Sequence, residues 1–242
     1  MQKGTAVFNR NQIKYILILA MLIDHIAWNF VPLMSPLGQL MHIIGRLTGP
    51  GMSILLAEGY QYTRDRKKYA LRLFIFAMIT WIPYSIYSQG KWPFFGIDMF
   101  GMIFTLFVAF MTIWMWDSYQ AKKSLKVLLV VAFCAISLLG DWSICAVLWA
   151  LFAYIYRDNP RKKWISFYIV GAVEVHIAMF LSGSIARGLF QSGIFLVPVF
   201  LTFFYNGKPG SRKPFHKWFF YVFYPLHLLV IHIIVMYLRM AS

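Results

Sequence analysis

The sequence predicts an all-α fold, a polytopic transmembrane helical bundle of about nine segments with its N-terminus in the cytoplasm and its C-terminus outside. Three observations predict it. Of 242 residues, 60% are hydrophobic and only 13% charged, a balance that leaves too little polar surface for a soluble domain. Apolar runs of bilayer-crossing length recur between short polar loops. The 23 lysines and arginines far outnumber the 8 acids and collect on alternate loops, as cytoplasmic loops do.

Residues 14–30 form the first segment. Lys3, Arg10 and Lys14 precede it and no small-residue cleavage site follows, so it reads as a retained helix rather than a signal peptide. Residues 37–61 form the second, and its Gly49-Pro50-Gly51 is either a kink or the start of a half-helix at Pro50, with donor N–H groups exposed inside the protein. It is the one interrupted segment the sequence signals. Arg64, Arg66, Lys67, Lys68 and Arg72 mark the cytoplasmic start of the third, 68–88; Asp98 reads as the N-cap of the fourth, 97–116. Residues 124–139 and 141–156 are too short, at about 1.5 Å per residue, to cross a ~30 Å core untilted. They form a tilted or a re-entrant hairpin around Gly140-Asp141, with Asp141 as a further N-cap. Basic clusters at Lys122 to Lys126, Arg157 to Lys163 and Lys208 to Lys217 bracket the fifth segment and the remaining spans, 162–182, 189–205 and 216–238. In the last of these Pro225 releases the carbonyl of Tyr221. The opposite loops hold Lys91, Arg187 and Arg239, which sets the orientation. No linker or repeat divides the chain, so residues 1–242 read as a single domain.

The net charge of +15 is first a topology signal. Basic loops gathered on one face also attract a polyanion such as the phosphates of a nucleotide cofactor, whereas nucleic-acid binding has little support. Cys134 and Cys145 lie in apolar runs and read as small buried hydrophobes.

Ionisable side chains inside a bilayer are expensive and mark function. Asp24 and His25 interrupt the first helix. Lys14 lies eleven residues before His25, which returns it to nearly the same helical face about 16 Å away, so a ligand held at Lys14 could reach along that face to the imidazole. His42 and Arg46 share a face of the second segment. Arg46 needs an anion, and Asp24 or Glu174 can supply it; Asp24 is then either the orienter of His25 or the partner of Arg46. Glu58 pairs with Arg64 or Arg66, or serves the site. Glu174 and His176 point about 200° apart, and of His227 and His232 the former, beside Pro225, is the better candidate to face a site. No His/Glu spacing typical of a metal site, no Gly-x-Ser-x-Gly elbow and no Walker loop is present, which argues against metal catalysis, serine hydrolysis and ATP-driven pumping.

Several stretches together resemble the TraX family, whose namesake N-acetylates conjugative pilin. These are "DHI" in the first helix, "GRLTGPGMSILLAEGYQYTRDRKKYALRL" in the second and its following loop, "IFTL" in the fourth, and "FYPLHLL" in the last. Lys14-x10-His25 is also similar to the Arg/Lys-x10-His pattern of the acyltransferase family 3 membrane enzymes. The resemblance implies an integral-membrane O- or N-acetyltransferase of a bacterial cytoplasmic membrane, moving acetyl from acetyl-CoA to a pilin-like peptide, a glycan or a small molecule. It maps His25 to the catalytic histidine, Lys14 to the cytoplasmic base, and Arg46 and Glu58 to polar positions of the second helix. Joined to the intramembrane residues above, the expected catalytic set is His25, Asp24, Arg46, Glu58 and His227, with Lys14, Arg64, Arg66, Lys67 and Arg72 expected to hold the cofactor phosphates. His25 is then the general base on the acceptor, or a transient acyl carrier. A proton-coupled small-solute transporter is the competing class, since it too uses a broken helix and midplane charges.

Overall fold

The computed structural model describes residues 6–90 and 99–241, with backbone alone for Ala186 and Arg187. Lys3, Lys91 and Asp98 lie outside the described residues. The regular elements among the described residues are all helical: α1 (Arg10–Phe30), α2 (Pro36–Gly45), α3 (Thr48–Tyr62), α4 (Arg66–Gln89), α5 (Met102–Ser118), α6 (Lys123–Ser137), α7 (Ser143–Ile155), α8 (Pro160–Ser182), α9 (Ile185–Gly188), a 3-10 segment Leu189–Phe195, α10 (Leu196–Phe204) and α11 (Pro214–Ala241). Among the described residues five stretches are long and apolar enough to cross a membrane, with α2 and α3 counted as one broken span: Arg10–Phe30, Pro36–Tyr62, Arg66–Gln89, Pro160–Ser182 and Pro214–Ala241. At about 1.5 Å per residue α6 and α7 measure only about 22 and 20 Å.

Local chemistry fixes the helix ends. The Asn9 carboxamide and the Gln12 side chain form a reciprocal capping box that starts α1 four residues earlier than hydropathy suggests. Asp65 caps α4 by accepting the Lys68 N–H at 2.9 Å, and this hydrogen bond holds its exposed carboxyl below the usual carboxylate range.

Three sequence expectations need correction here. The break in the second segment falls at Arg46-Leu47, and α3 starts at Thr48, not at Pro50. The reason is that a proline ring collides with the carbonyl four residues upstream, which for Pro50 is that of Arg46. Asp141 is no N-cap: α7 is preceded by Trp142 in the left-handed region at φ 61, with no side-chain cap. The Asp141 N–H instead donates to Phe100 O at 2.9 Å and its carbonyl accepts from Thr105 Oγ1 at 2.6 Å, a clasp that spends its backbone on another chain segment. The second segment is also not alone in being interrupted, because α9, the 3-10 turns and α10 break the stretch 185–204.

The chain forms two compact units, Met1–Met52 with Tyr168–His227 and Ile234–Ser242, and Ser53–Phe167 with Leu228–Ile233. In the first, α1 packs on α2 and α2 on the 3-10 segment. Glycines permit both approaches: a Cβ on Gly45 would land on the Asp24 side chain, and one on Gly193 would strike the Ile43 backbone. An extended N-terminal stretch clasps residues after α10, with Phe8 N–H to Phe204 O at 2.9 Å, Asn206 N–H to Phe8 O at 2.9 Å and Arg10 N–H to Lys208 O at 2.8 Å. In the second unit α5 is the central helix, buried along most of its length against α4, α6 and α7. Leu71, Phe74, Ile75 and Ile79 of α4, and Ile165, Ile169 and Val173 of α8, face outward, as lipid-facing residues do.

Candidate functional site

Consecutive residues on a helix point about 100° apart, so Asp24 and His25, both buried on α1, address different neighbours. Asp24 turns to α2. Its Oδ1 accepts from His42 Nδ1 at 2.9 Å and its Oδ2 from Arg46 Nη2 in a short ion pair. His42 and Arg46 reach one carboxylate because they lie one turn apart on one face, with Gly45 leaving the space. Asp24 is therefore the partner of Arg46, and the alternative, Glu174, is not needed. On its other side the Arg46 guanidinium lies 5.2 Å from the Phe190 ring centre, and its Nη1 makes a long 3.4 Å contact with Gln191 Oε1. The His42 ring sits between Trp28 at 4.4 Å and Phe190 at 5.1 Å. It is fully buried, and its Nε2 has no hydrogen-bond partner among the described residues.

His25 turns to α11. Its Nδ1 lies 2.7 Å from His227 Nε2, the two rings nearly parallel at 8°. His227 Nδ1 in turn contacts Phe223 O at 2.9 Å, and the Phe223 ring stacks on the imidazole at 5.0 Å. A carbonyl only accepts, so His227 carries its proton on Nδ1 and, when neutral, offers a lone pair on Nε2. His25 then donates from Nδ1, which leaves the lone pair of His25 on Nε2. The carbonyl used is that of Phe223, not the one of Tyr221 that Pro225 was expected to release, because the imidazole folds back one turn along its own helix.

The structure thus brings Asp24, His25, Arg46 and His227 together in the first unit and adds His42, Trp28, Phe190 and Gln191. Lys14 lies in the same unit, half-buried on α1. Glu58, Arg64, Arg66, Lys67 and Arg72 belong to the second unit. There Arg66 pairs with Asp117 at 2.9 Å and stacks on Tyr60 at 4.4 Å; Tyr60 Oη donates to the same carboxylate at 2.8 Å, and Tyr154 Oη makes a further short contact with it. Glu58 interacts electrostatically with Lys163, Arg72 stacks on Tyr69 at 4.9 Å, and Arg64 and Lys67 are exposed. His176 is spent on its own helix, with Nδ1 2.6 Å from Ala172 O. Sequence reasoning missed His42 as a site residue, although its i, i+4 relation to Arg46 was a usable signal. It also missed Asp117, Phe190 and Gln191, which carry no such signal.

Among the described residues no three histidine, cysteine or carboxylate side chains converge as a metal site. The arrangement offers proton chemistry: three buried imidazoles, each hydrogen-bonded to a neighbour, beside a guanidinium held by a carboxylate.

Comparison with known proteins agrees with a membrane protein of this kind. The family model described as TraX protein matches residues 9–235. The chain is 29% identical over 231 residues to a protein of Dichelobacter nodosus named probable fimbrial assembly protein FimC, serogroup H1, covering 91% of this chain and 93% of that relative. No solved structure matches. With a family match running almost from end to end and helices of bilayer-crossing length beneath it, the chain is a membrane protein that belongs to the TraX family.

Proposed function

We propose that this protein is an integral-membrane acetyltransferase that moves an acetyl group from acetyl-CoA to a hydroxyl or amine acceptor. The observation that carries the reading is the chain Phe223 O, His227, His25, which leaves a lone pair on His25 Nε2 inside a helix bundle. Such an imidazole is a general base: it takes the proton of the acceptor heteroatom while that atom attacks the thioester carbonyl, and the charge gained is shared with His227. Arg46 supplies stabilisation for the oxyanion, its Nη1 exchanging the long 3.4 Å contact with Gln191 for the developing charge. The 3′-phospho-ADP of the donor is assigned to the basic residues of the expected cytoplasmic side, Lys14, Arg64, Arg66, Lys67 and Arg72, and Glu58 to the polar path inward. In this reading the membrane is the bacterial cytoplasmic membrane with the N-terminus inside, and membership of a family with a fimbrial-assembly relative makes a pilin-like peptide one acceptor, beside a glycan or small molecule.

Purified protein in detergent should bind and slowly hydrolyse acetyl-CoA at millimolar concentration, and His25→Ala should abolish turnover while the protein still inserts. An active His25→Ala variant sinks the mechanism. One observation favours a second reading: the interrupted stretch 185–204 packs through its 3-10 segment on α2 of the other interrupted span, as broken helices of transporters do around a substrate. Proton-coupled solute uptake by reconstituted protein that consumes no acetyl-CoA would establish that reading instead.

A further inference from the structure

The geometry points to His42 as the general acid of the site, the group that delivers a proton to the departing sulfur while His25 takes one from the acceptor. This rests on the acetyl-transfer reading. Net transfer converts acceptor–H and an acetyl thioester into acetyl–acceptor and a thiol, so one proton leaves the acceptor heteroatom and one arrives at sulfur. Two differently placed imidazoles divide that work according to which rests protonated. His25 donates from Nδ1 to His227 and in its neutral form carries a lone pair on Nε2, as a base must. His42 donates from Nδ1 to the Asp24 carboxylate, the partner that suits the imidazolium form an acid requires. The acid proton is assigned to Nε2, the buried nitrogen with no hydrogen-bond partner among the described residues.

Charge balance supports the assignment. Asp24, Arg46 and a protonated His42 sum to one positive charge among buried side chains, and the negative charge developing on carbonyl oxygen and sulfur neutralises it. The balanced step runs in order: the acceptor's heteroatom–H bond breaks and its proton forms an N–H bond at His25 Nε2; the heteroatom–carbon bond forms; the carbon–sulfur bond breaks; the electron pair left on sulfur takes the proton from His42 Nε2. His25 then loses its proton to water and His42 regains one from water. Trp28, 48% exposed, packs on the His42 ring at 4.4 Å and links it to the surface.

A leaving group that departs as a stable anion needs no acid. Acetyl-CoA and its selenoester analogue should therefore be compared as donors in wild type, His42→Gln, His42→Asn and His25→Gln. The expected result is a loss of ~10²-fold or more with acetyl-CoA in both His42 variants, and recovery to within a few-fold of wild type with the selenoester. His25→Gln should lose both donors alike. Recovery on the selenoester also shows that the variant is folded. Equal loss of both donors in the His42 variants, or unchanged turnover of acetyl-CoA, overturns the assignment. If wild type consumes neither donor, it is the acetyl-transfer reading that has failed, and the proposal with it.

Discussion

The Asp24–Arg46 pair makes a quantitative prediction about stability that separates it from catalysis. Both side chains are nearly inaccessible, at 7% and 10% exposure, and the carboxylate also holds His42. Asp24→Leu removes the acceptor of two buried donors and strands a guanidinium, which costs ~3–5 kcal/mol. Arg46→Met costs less, about 1.5–3 kcal/mol, because Asp24 keeps the His42 hydrogen bond. Replacing both removes the charges together, and an apolar pair of similar volume is close to neutral in such positions, so the double variant should lie within ~2 kcal/mol of wild type. The coupling energy is then at least about 2 kcal/mol, far above the ~0.5 kcal/mol within which independent sites add. Unfolding in detergent, followed by tryptophan fluorescence against denaturant, reads all four corners of the cycle. The double variant should be folded and without transferase activity. Additive single effects, or a double variant less stable than Asp24→Leu, would refute the buried pair.

Two further predictions concern the helix contacts and ends. Gly45→Ala pushes a methyl into the Asp24 side chain and should destabilise by ~1–3 kcal/mol with loss of activity, as overpacking does. Gly59→Ala, whose new Cβ meets only the tip of Tyr69 at 3.2 Å, should be neutral or stabilising by up to ~1 kcal/mol; equal effects in thermal unfolding would contradict the close α1–α2 approach. Asp65 gives a pH dependence with a definite sign. Its carboxyl is held low by the Lys68 N–H, so the cap is present throughout the pH range above the ordinary carboxylate value and is lost as pH falls through the lowered one. Hydrogen exchange of the amides at the start of α4 should quicken, relative to the intrinsic rate, only at that acid end, and Asp65→Ala should remove the dependence.

Much of this was legible from residue types. Asp24, Arg46, His25 and His227 inside apolar runs announced a buried polar site, and Lys-free stretches between basic loops announced the spans. What the sequence left open was pairing. The 100° between Asp24 and His25 says that they diverge but not toward which helix; that required knowing that α2 and α11 flank α1 on different sides. The break at Arg46 was misplaced by one turn because Pro50 acts on the carbonyl behind it, not on its own position. Phe190 and Gln191 were invisible, since an aromatic and an amide in an apolar segment look the same whether they face lipid, core or a guanidinium.

The pairing of His25 with His227, 202 residues away, also dictates when the site can come into being. A ribosome delivers α1 to the membrane long before α11 exists, and the clasp from Phe8 and Arg10 to Phe204 and Lys208 likewise waits for nearly the whole chain. Every translation intermediate, and every product truncated before α11, therefore lacks the partner that fixes the His25 proton. Insertion can proceed helix by helix, but the His25–His227 pair closes only once α11 has joined α1.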